Sequence, residues 1–242
     1  MDHKRAAAFF AAALMISGLA VPVSAIGYGQ GKICDAQNRP VGAVEFEAQY
    51  GQYDACALTP EENRIILTFD QGYENGFTPH ILDTLKEKHV TAMFFVTGDY
   101  AKREPELMRR MIAEGHQIGN HGMTHAKLPA LTTDQRREEI MSLHDYVLGH
   151  YGYEMQYLRP PCGEYDEASL KDVQALGYRT VLWSYAYADW DPNAQPEPGA
   201  ALQGMTDAAH SGAVYLLHAV SETNAAVLGN LIDTLRAKGF TL

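Results

Sequence analysis

The chain has 242 residues and a net charge of −11, and its Lys and Arg never gather into a basic run. One domain with a full-sized core is the simplest organisation at this length. Binding a nucleic-acid backbone needs clustered cations, so that partner class is excluded as an expectation; the acidic balance by itself names no ligand.

At the N-terminus, Lys4 and Arg5 precede an apolar stretch from Ala6 to about Val23, and Val23-Ser24-Ala25 offers small residues at cleavage positions. Residues 1–25 therefore read as a secretory signal peptide cut after Ala25. The alternative is an uncleaved membrane anchor, because the stretch approaches spanning length; the breaks at Gly18 and Pro22 favour cleavage. The expected location is secreted or extracytoplasmic, which would permit Cys34 and Cys56 to pair. Residues 26–60 form a polar lead segment rich in Gly, Gln and Tyr, with a short helix expected around 44–50.

From Arg64 to the C-terminus, the main domain (61–242), the pattern is regular. Apolar, β-rich runs occupy 64–69, 91–97, 116–120, 156–159, 179–184 and 213–217, and residues 240–242 can begin a last strand. Helical stretches follow at 77–88, 104–114, 132–150, 166–176, 199–210 and 222–238, with Thr132 to Asp134 able to cap the third. Strand–helix alternation of this kind means a parallel sheet covered by helices, the α/β class. No G-x-G-x-x-G opens a helix, so a dinucleotide site is unsupported. A barrel is preferred to an open sheet, because polar candidates at five strand ends must meet and a closed ring gathers strand ends around one mouth.

Those candidates are Asp70, where the run 65–69 breaks into a glycine-containing turn, then His121 with His125, Arg159, Asp189 and His218. Two imidazoles four residues apart after a strand suit zinc or a neighbouring divalent metal. A catalytic metal usually takes three protein ligands, so Asp70 or water would have to help. Asp70 could take a proton from a metal-activated water. Arg159 could grip a carboxylate through two parallel hydrogen bonds, or form an ordinary salt bridge at the sheet end. The Cys162 N–H follows two prolines that have none and could support an oxyanion; its thiol is read as a plain turn residue rather than a nucleophile. Trp183 reads as core and Trp190 as a groove aromatic. His218, partnered by Asp189, could hold a proton for a leaving amine. His80, His89, His116, His144, His150 and His210 receive no role.

These residues resemble the polysaccharide deacetylases with the NodB homology domain, carbohydrate esterase family 4, over nearly all of the chain after residue 25. Thr68-Phe69-Asp70-Gln71-Gly72 is similar to T-F-D-D-G, His121 to His125 to H-x3-H, Arg159-Pro160-Pro161-Cys162-Gly163 to R-P-P-Y-G, and Asp189-Trp190 and Leu216-Leu217-His218 to the last two motifs. The resemblance implies a deformed (β/α) barrel of about seven parallel strands and removal of N-acetyl groups from cell-wall sugars with a divalent metal, zinc by preference. It implies Asp70 as base, His121 and His125 as metal ligands, His218 as acid, Arg159 orienting Asp70 and Asp189 orienting His218. Trp190, Leu216, Cys162, Tyr73 and Asn75 would contact substrate.

Gln71 replaces an Asp that is normally a metal ligand, which should weaken or alter metal binding. With Tyr73-Glu74-Asn75-Gly76 and the run Leu217 to Ser221 followed by Asn224-Ala225, it is similar to the muramic δ-lactam de-N-acetylases of spore formers. That subgroup implies N-acetylmuramic acid in peptide-free peptidoglycan as substrate, glycan strands as the partner, and no stable protein partner. The rivals are deacetylation of N-acetylglucosamine, chitin or acetylated xylan, and a non-catalytic glycan-binding protein.

Overall fold

The computed structural model describes residues 25–242, so the expected signal segment, Ala25 excepted, lies outside the described residues. In chain order the elements are β1 (Ile26–Gly27), α1 (Val41–Tyr50), β2 (Ala55–Cys56), β3 (Ile65–Gln71), α2 (Thr78–Glu87), β4 (Met93–Val96), α3 (Gly98–Arg103), α4 (Pro105–Ala113) and β5 (Gln117–Asn120). There follow α5 (Thr133–Tyr151), β6 (Tyr157–Leu158), β7 (Glu164–Tyr165), α6 (Glu167–Ala175), β8 (Arg179–Val181), β9 (Tyr185–Ala186), α7 (Pro198–Asp207), β10 (Ala213–His218) and α8 (Glu222–Ala237).

Eight strands form one parallel sheet in the order β2-β8-β6-β5-β4-β3-β10-β9. It curls into the expected deformed barrel without closing, since β2 and β9 do not pair with each other. The count exceeds seven because the lead segment supplies β2, which the sequence does not predict, and because one expected strand is interrupted. The expected strand 179–184 breaks after Val181: Leu182 N–H donates to Cys56 O at 2.8 Å, and Ser184 N–H donates to Val214 O at 2.9 Å. The chain thus crosses the open side of the barrel and starts β9 against β10. Residues 240–242 supply only an isolated bridge, Thr241 to Arg64.

Side chains alternate across the strands with the period of two that the pleat imposes. On β3 and β10, Leu67, Phe69, Tyr215 and Leu217 join the large core beneath the helices. Met93, Phe95, Val181 and Val214 fill the barrel interior. Helix α5 begins on a complete capping box, Thr132 with Gln135, as its sequence anticipates. Helix α1 lies in the lead segment, where Phe46 and Tyr50 share a second core with Trp183 and Leu216. The lead segment is therefore part of the barrel's packing. Cys34 and Cys56 are unpaired.

Candidate active site

Parallel register delivers the polar residues to one rim. Asp70 on β3 lies directly opposite His218 on β10. Val96 on β4 pairs with Asn120 on β5, the residue before His121, and His121 N–H donates to Val96 O at 2.9 Å. Arg159 N–H donates in turn to Asn120 O at 3.0 Å. All of these are C-terminal strand ends, where a curled parallel sheet gathers its reactive groups.

A cavity of 520 Å³ opens there, lined among others by Asp70, His121, His125, Cys162, Leu216 and His218. Trp190, 58% exposed, and Tyr73, 50% exposed, stand on its wall as two aromatic faces open to solvent. Asn75 is not among the residues lining the cavity; its Nδ2 donates to Val220 O at 3.0 Å and ties the 72–76 loop to a wall residue. A smaller cavity of 160 Å³, lined by Cys56, Met93, Arg179 and Val214, holds none of these groups.

One side of the site is an ion pair. Arg159 is fully buried and its Nη1 donates to Asp70 Oδ1 at 2.7 Å. Its other nitrogens donate to Val181 O and Leu182 O, both at 3.1 Å. The guanidinium lies 4.2 Å over the Phe95 ring. Burial alone would raise the Asp70 pKa, but Arg159, then His121 and His218, outweigh it and hold the carboxylate below its usual range. The contact with Asp70 is through a single nitrogen, because the carbonyls take the rest of the fork.

The opposite side is an imidazole–carboxylate pair. His218 Nδ1 lies 2.7 Å from Asp189 Oδ1. Burial pulls the His218 pKa down, yet the hydrogen bond and charge of Asp189 win and raise it above the ordinary value. Nδ1 is committed to Asp189, which leaves Nε2 as the titrating edge at the cavity.

Beside Asp70 stand His121 and His125, ring centroids 4.8 Å apart. His121 Nδ1 is 2.8 Å from Arg159 O, an arrangement that places the hydrogen on Nδ1. His121 Nε2, 3.5 Å from Asp70 Oδ2, then carries the lone pair. Burial pushes the His121 pKa down to about 4 and lowers that of His125. Both imidazoles are therefore neutral at pH 7, the state a metal requires.

Among the described residues no group of three His, Cys, Asp or Glu forms a ready metal cluster. Gln71 does not complete one: it is fully buried, off the cavity wall, with Nε2 3.4 Å from Thr78 Oγ1 and Oε1 without a partner. The donors at hand fit a cation held by two neutral imidazoles beside Asp70, with solvent or substrate filling the remainder.

Several residues that shape the site carried no readable motif. Glu139 on α5 accepts from Thr124 N (2.7 Å), Thr124 Oγ1 (2.8 Å) and Ala126 N (3.2 Å) and so folds the loop between the two histidines. Gly122 in that loop has φ +82°, and a Cβ there would sit 2.6 Å from Glu139 Oε1. Trp183, expected in the core, is 9% exposed but also walls the cavity. The lead segment fastens it: Tyr28 OH donates to Trp183 O at 2.6 Å, Trp183 Nε1 to Gln30 Oε1 at 2.9 Å, and Gln30 Nε2 to Ala186 O at 3.2 Å. Gln30→Ala should raise KM several-fold with little change in kcat, and cost about 1–3 kcal/mol for the orphaned indole N–H. Steady-state kinetics with urea unfolding check this; an unchanged KM would mean the strap does not shape the wall.

Cys162 sits at the cavity with φ 59°, and no backbone acceptor among the described residues takes its N–H. Among the described residues no imidazole hydrogen bonds its thiol. His116 and His210 are buried and bonded to Ala92 N and Ser184 Oγ, as structural histidines.

Comparison with known proteins agrees with this geometry. Residues 57–181 match the polysaccharide deacetylase family. The chain is 42% identical over 237 residues to the peptidoglycan-N-acetylmuramic acid deacetylase PdaA of Bacillus subtilis, covering 96% of this chain and 90% of that protein. It is 34% identical to the peptidoglycan-N-acetylglucosamine deacetylase PgdA of Listeria monocytogenes, over 73% of this chain and 37% of that one. The solved structure of Bacillus subtilis PdaA, a family 4 carbohydrate esterase, superposes with a TM-score of 0.85 at 43% identity, covering 91% of this chain and 95% of that one. The chain belongs to the polysaccharide deacetylase family and is a polysaccharide N-deacetylase.

Proposed function

We propose that this enzyme removes the acetyl group from N-acetylmuramic acid in peptide-free peptidoglycan, outside the cytoplasmic membrane, after which the freed amine closes on the lactyl carboxyl to give the muramic δ-lactam of spore cortex. The observation that carries the chemistry is the gathering at one cavity of two charge pairs, Asp70–Arg159 and His218–Asp189, with two neutral imidazoles beside Asp70. The muramic assignment is supported by similarity to PdaA along almost the whole chain.

His121 and His125 would hold a divalent cation, zinc by their donor type. When bound, such a cation supplies Lewis acidity that polarises a carbonyl and acidifies water. Asp70 accepts the proton of the attacking water, and Arg159 fixes which carboxylate oxygen remains for that task. Water oxygen bonds to the acetyl carbon, and the Cys162 N–H faces the developing oxyanion. The C–N bond then breaks, and the proton on His218 Nε2 passes to the leaving sugar nitrogen, so that acetate and amine depart. Trp190 and Tyr73 offer ring faces to the sugars, and Leu216 meets the acetyl methyl.

Mass spectrometry of peptide-free glycan treated with the protein tests the substrate. Loss of acetyl followed by loss of water, on muramic residues, is expected. Loss confined to glucosamine would favour the second reading, which similarity to PgdA supports; no loss from either sugar would move the substrate to another acetylated polysaccharide, chitin or xylan.

His121→Ala should abolish stoichiometric metal retention, measured by elemental analysis after dialysis. Unchanged metal content would remove His121 as a ligand. Gln71→Asp should tighten binding only if the longer-range charge matters, because the side chain stands off the wall; no change is the result that places the deficit elsewhere.

A further inference from the structure

We propose that Asn224 and Tyr187 are positioning residues for the proton-donating half of the site, acting through Asp189 on His218. Asn224 enters above only as part of a pattern of resemblance and Tyr187 in none, and neither has been given a role, yet they form a continuous chain of hydrogen bonds from the cavity wall to the imidazole.

Asn224, in the first turn of α8, is 2% exposed. Its Nδ2 donates to Asp189 Oδ2 at 2.6 Å and to His218 O at 3.0 Å. Asp189 Oδ2 also accepts from His218 N–H at 2.8 Å, while Oδ1 faces His218 Nδ1 at 2.7 Å. One amide therefore grips both the carboxylate and the backbone of the residue that the carboxylate orients. If Asp189 turned about its last torsion, Oδ1 would leave His218; the two donors on Oδ2 oppose that turn.

An amide can flip and present oxygen where nitrogen should be, and Asn224 is prevented from doing so. The Tyr187 hydroxyl donates to Asn224 Oδ1. A flip would put an amide oxygen against the Asp189 carboxylate and an NH₂ group where that hydroxyl now finds its acceptor. Tyr187 is itself a cavity residue, so a glycan seated there presses on the far end of the chain. The backbone of Asn224 is fixed too, its N–H donating to the capping Ser221 Oγ at 3.0 Å.

The inference rests on His218 being the proton donor, and the test separates the two ideas. The full protein is assayed for acetate release from peptide-free glycan, and the His218 Nδ1–H proton is followed by NMR as the low-field signal missing from His218→Gln. In Asn224→Ala, kcat should fall about tenfold, part of the 10²–10⁴ that acid–base catalysis contributes, while KM stays within about twofold. The low-field signal should broaden or shift. Tyr187→Phe removes one hydroxyl and should give a smaller loss of kcat with a shifted signal. Should Asn224→Ala not fold, Tyr187→Phe decides alone. An unmoved signal with wild-type kcat in the variant that folds overturns the positioning role. Full turnover in His218→Gln would instead refute the proton-donor reading, and a shifted signal in Tyr187→Phe would still support the positioning chain.

Discussion

Asp70→Asn is expected to lower acetate release by about 10²–10⁴-fold, the range that a positioned general base contributes. The substitution is nearly isosteric, so the Arg159 contact at 2.7 Å can persist to an amide oxygen while the proton-accepting charge is lost. Binding of the glycan, for which Trp190, Tyr73 and Leu216 are proposed, should remain within a few-fold, measured by calorimetry with a chain-length-defined oligomer. Wild-type turnover in Asp70→Asn would remove it as the base and point to one of the imidazoles that also line the cavity, His121, His125 or His218. The intact enzyme should also lose kcat as pH rises through the elevated pKa of His218, because its acid form is the one consumed. That basic limb should move to lower pH in Asp189→Asn, where the charge that raises the imidazole is gone.

The parts of this site that were legible in the sequence are those whose chemistry is local. Asp70, Arg159 and His218 each end an apolar run, and strand ends of a parallel sheet share a rim, so their meeting followed from the run boundaries. His121 and His125 were legible because four residues enclose a loop small enough to bring two rings together. Residues that act across long separations were not. Glu139 sits in an ordinary helical acid pattern, and only the fold carries it to Thr124. Gln30 lies 153 residues from the indole it binds. The break at Leu182 to Ser184 was hidden for another reason. The run through Trp183 has the composition of one strand, but the barrel's open side draws it away from β6 and onto β10, so tertiary geometry overrides β-propensity. The tie from the Asn75 amide to the backbone carbonyl of Val220, 145 residues away, likewise needs the fold to be seen.

Arg159→Met should be the most destabilising substitution at the site, by about 3–5 kcal/mol in urea unfolding, since it strips the cation from a buried carboxylate. Asp70 is 8% exposed and has no other full cation in hydrogen-bond contact among the described residues. The same change orphans Val181 O and Leu182 O, at the point where the chain leaves β8 to cross the barrel. Acetate release should fall about 10²-fold as Asp70 loses its fixed orientation, a typical penalty for misplacing a reacting group. The double variant Asp70→Asn/Arg159→Met separates charge from packing. If the unpaired carboxylate is the main cost, the double variant is more stable than Arg159→Met alone. If the two single effects add within about 0.5 kcal/mol, the ion pair is not what makes Arg159 necessary. The weight would then fall on the two carbonyls and on the Phe95 ring, and Arg159→Lys, which keeps a charge but loses the fork, should be as damaging as Arg159→Met.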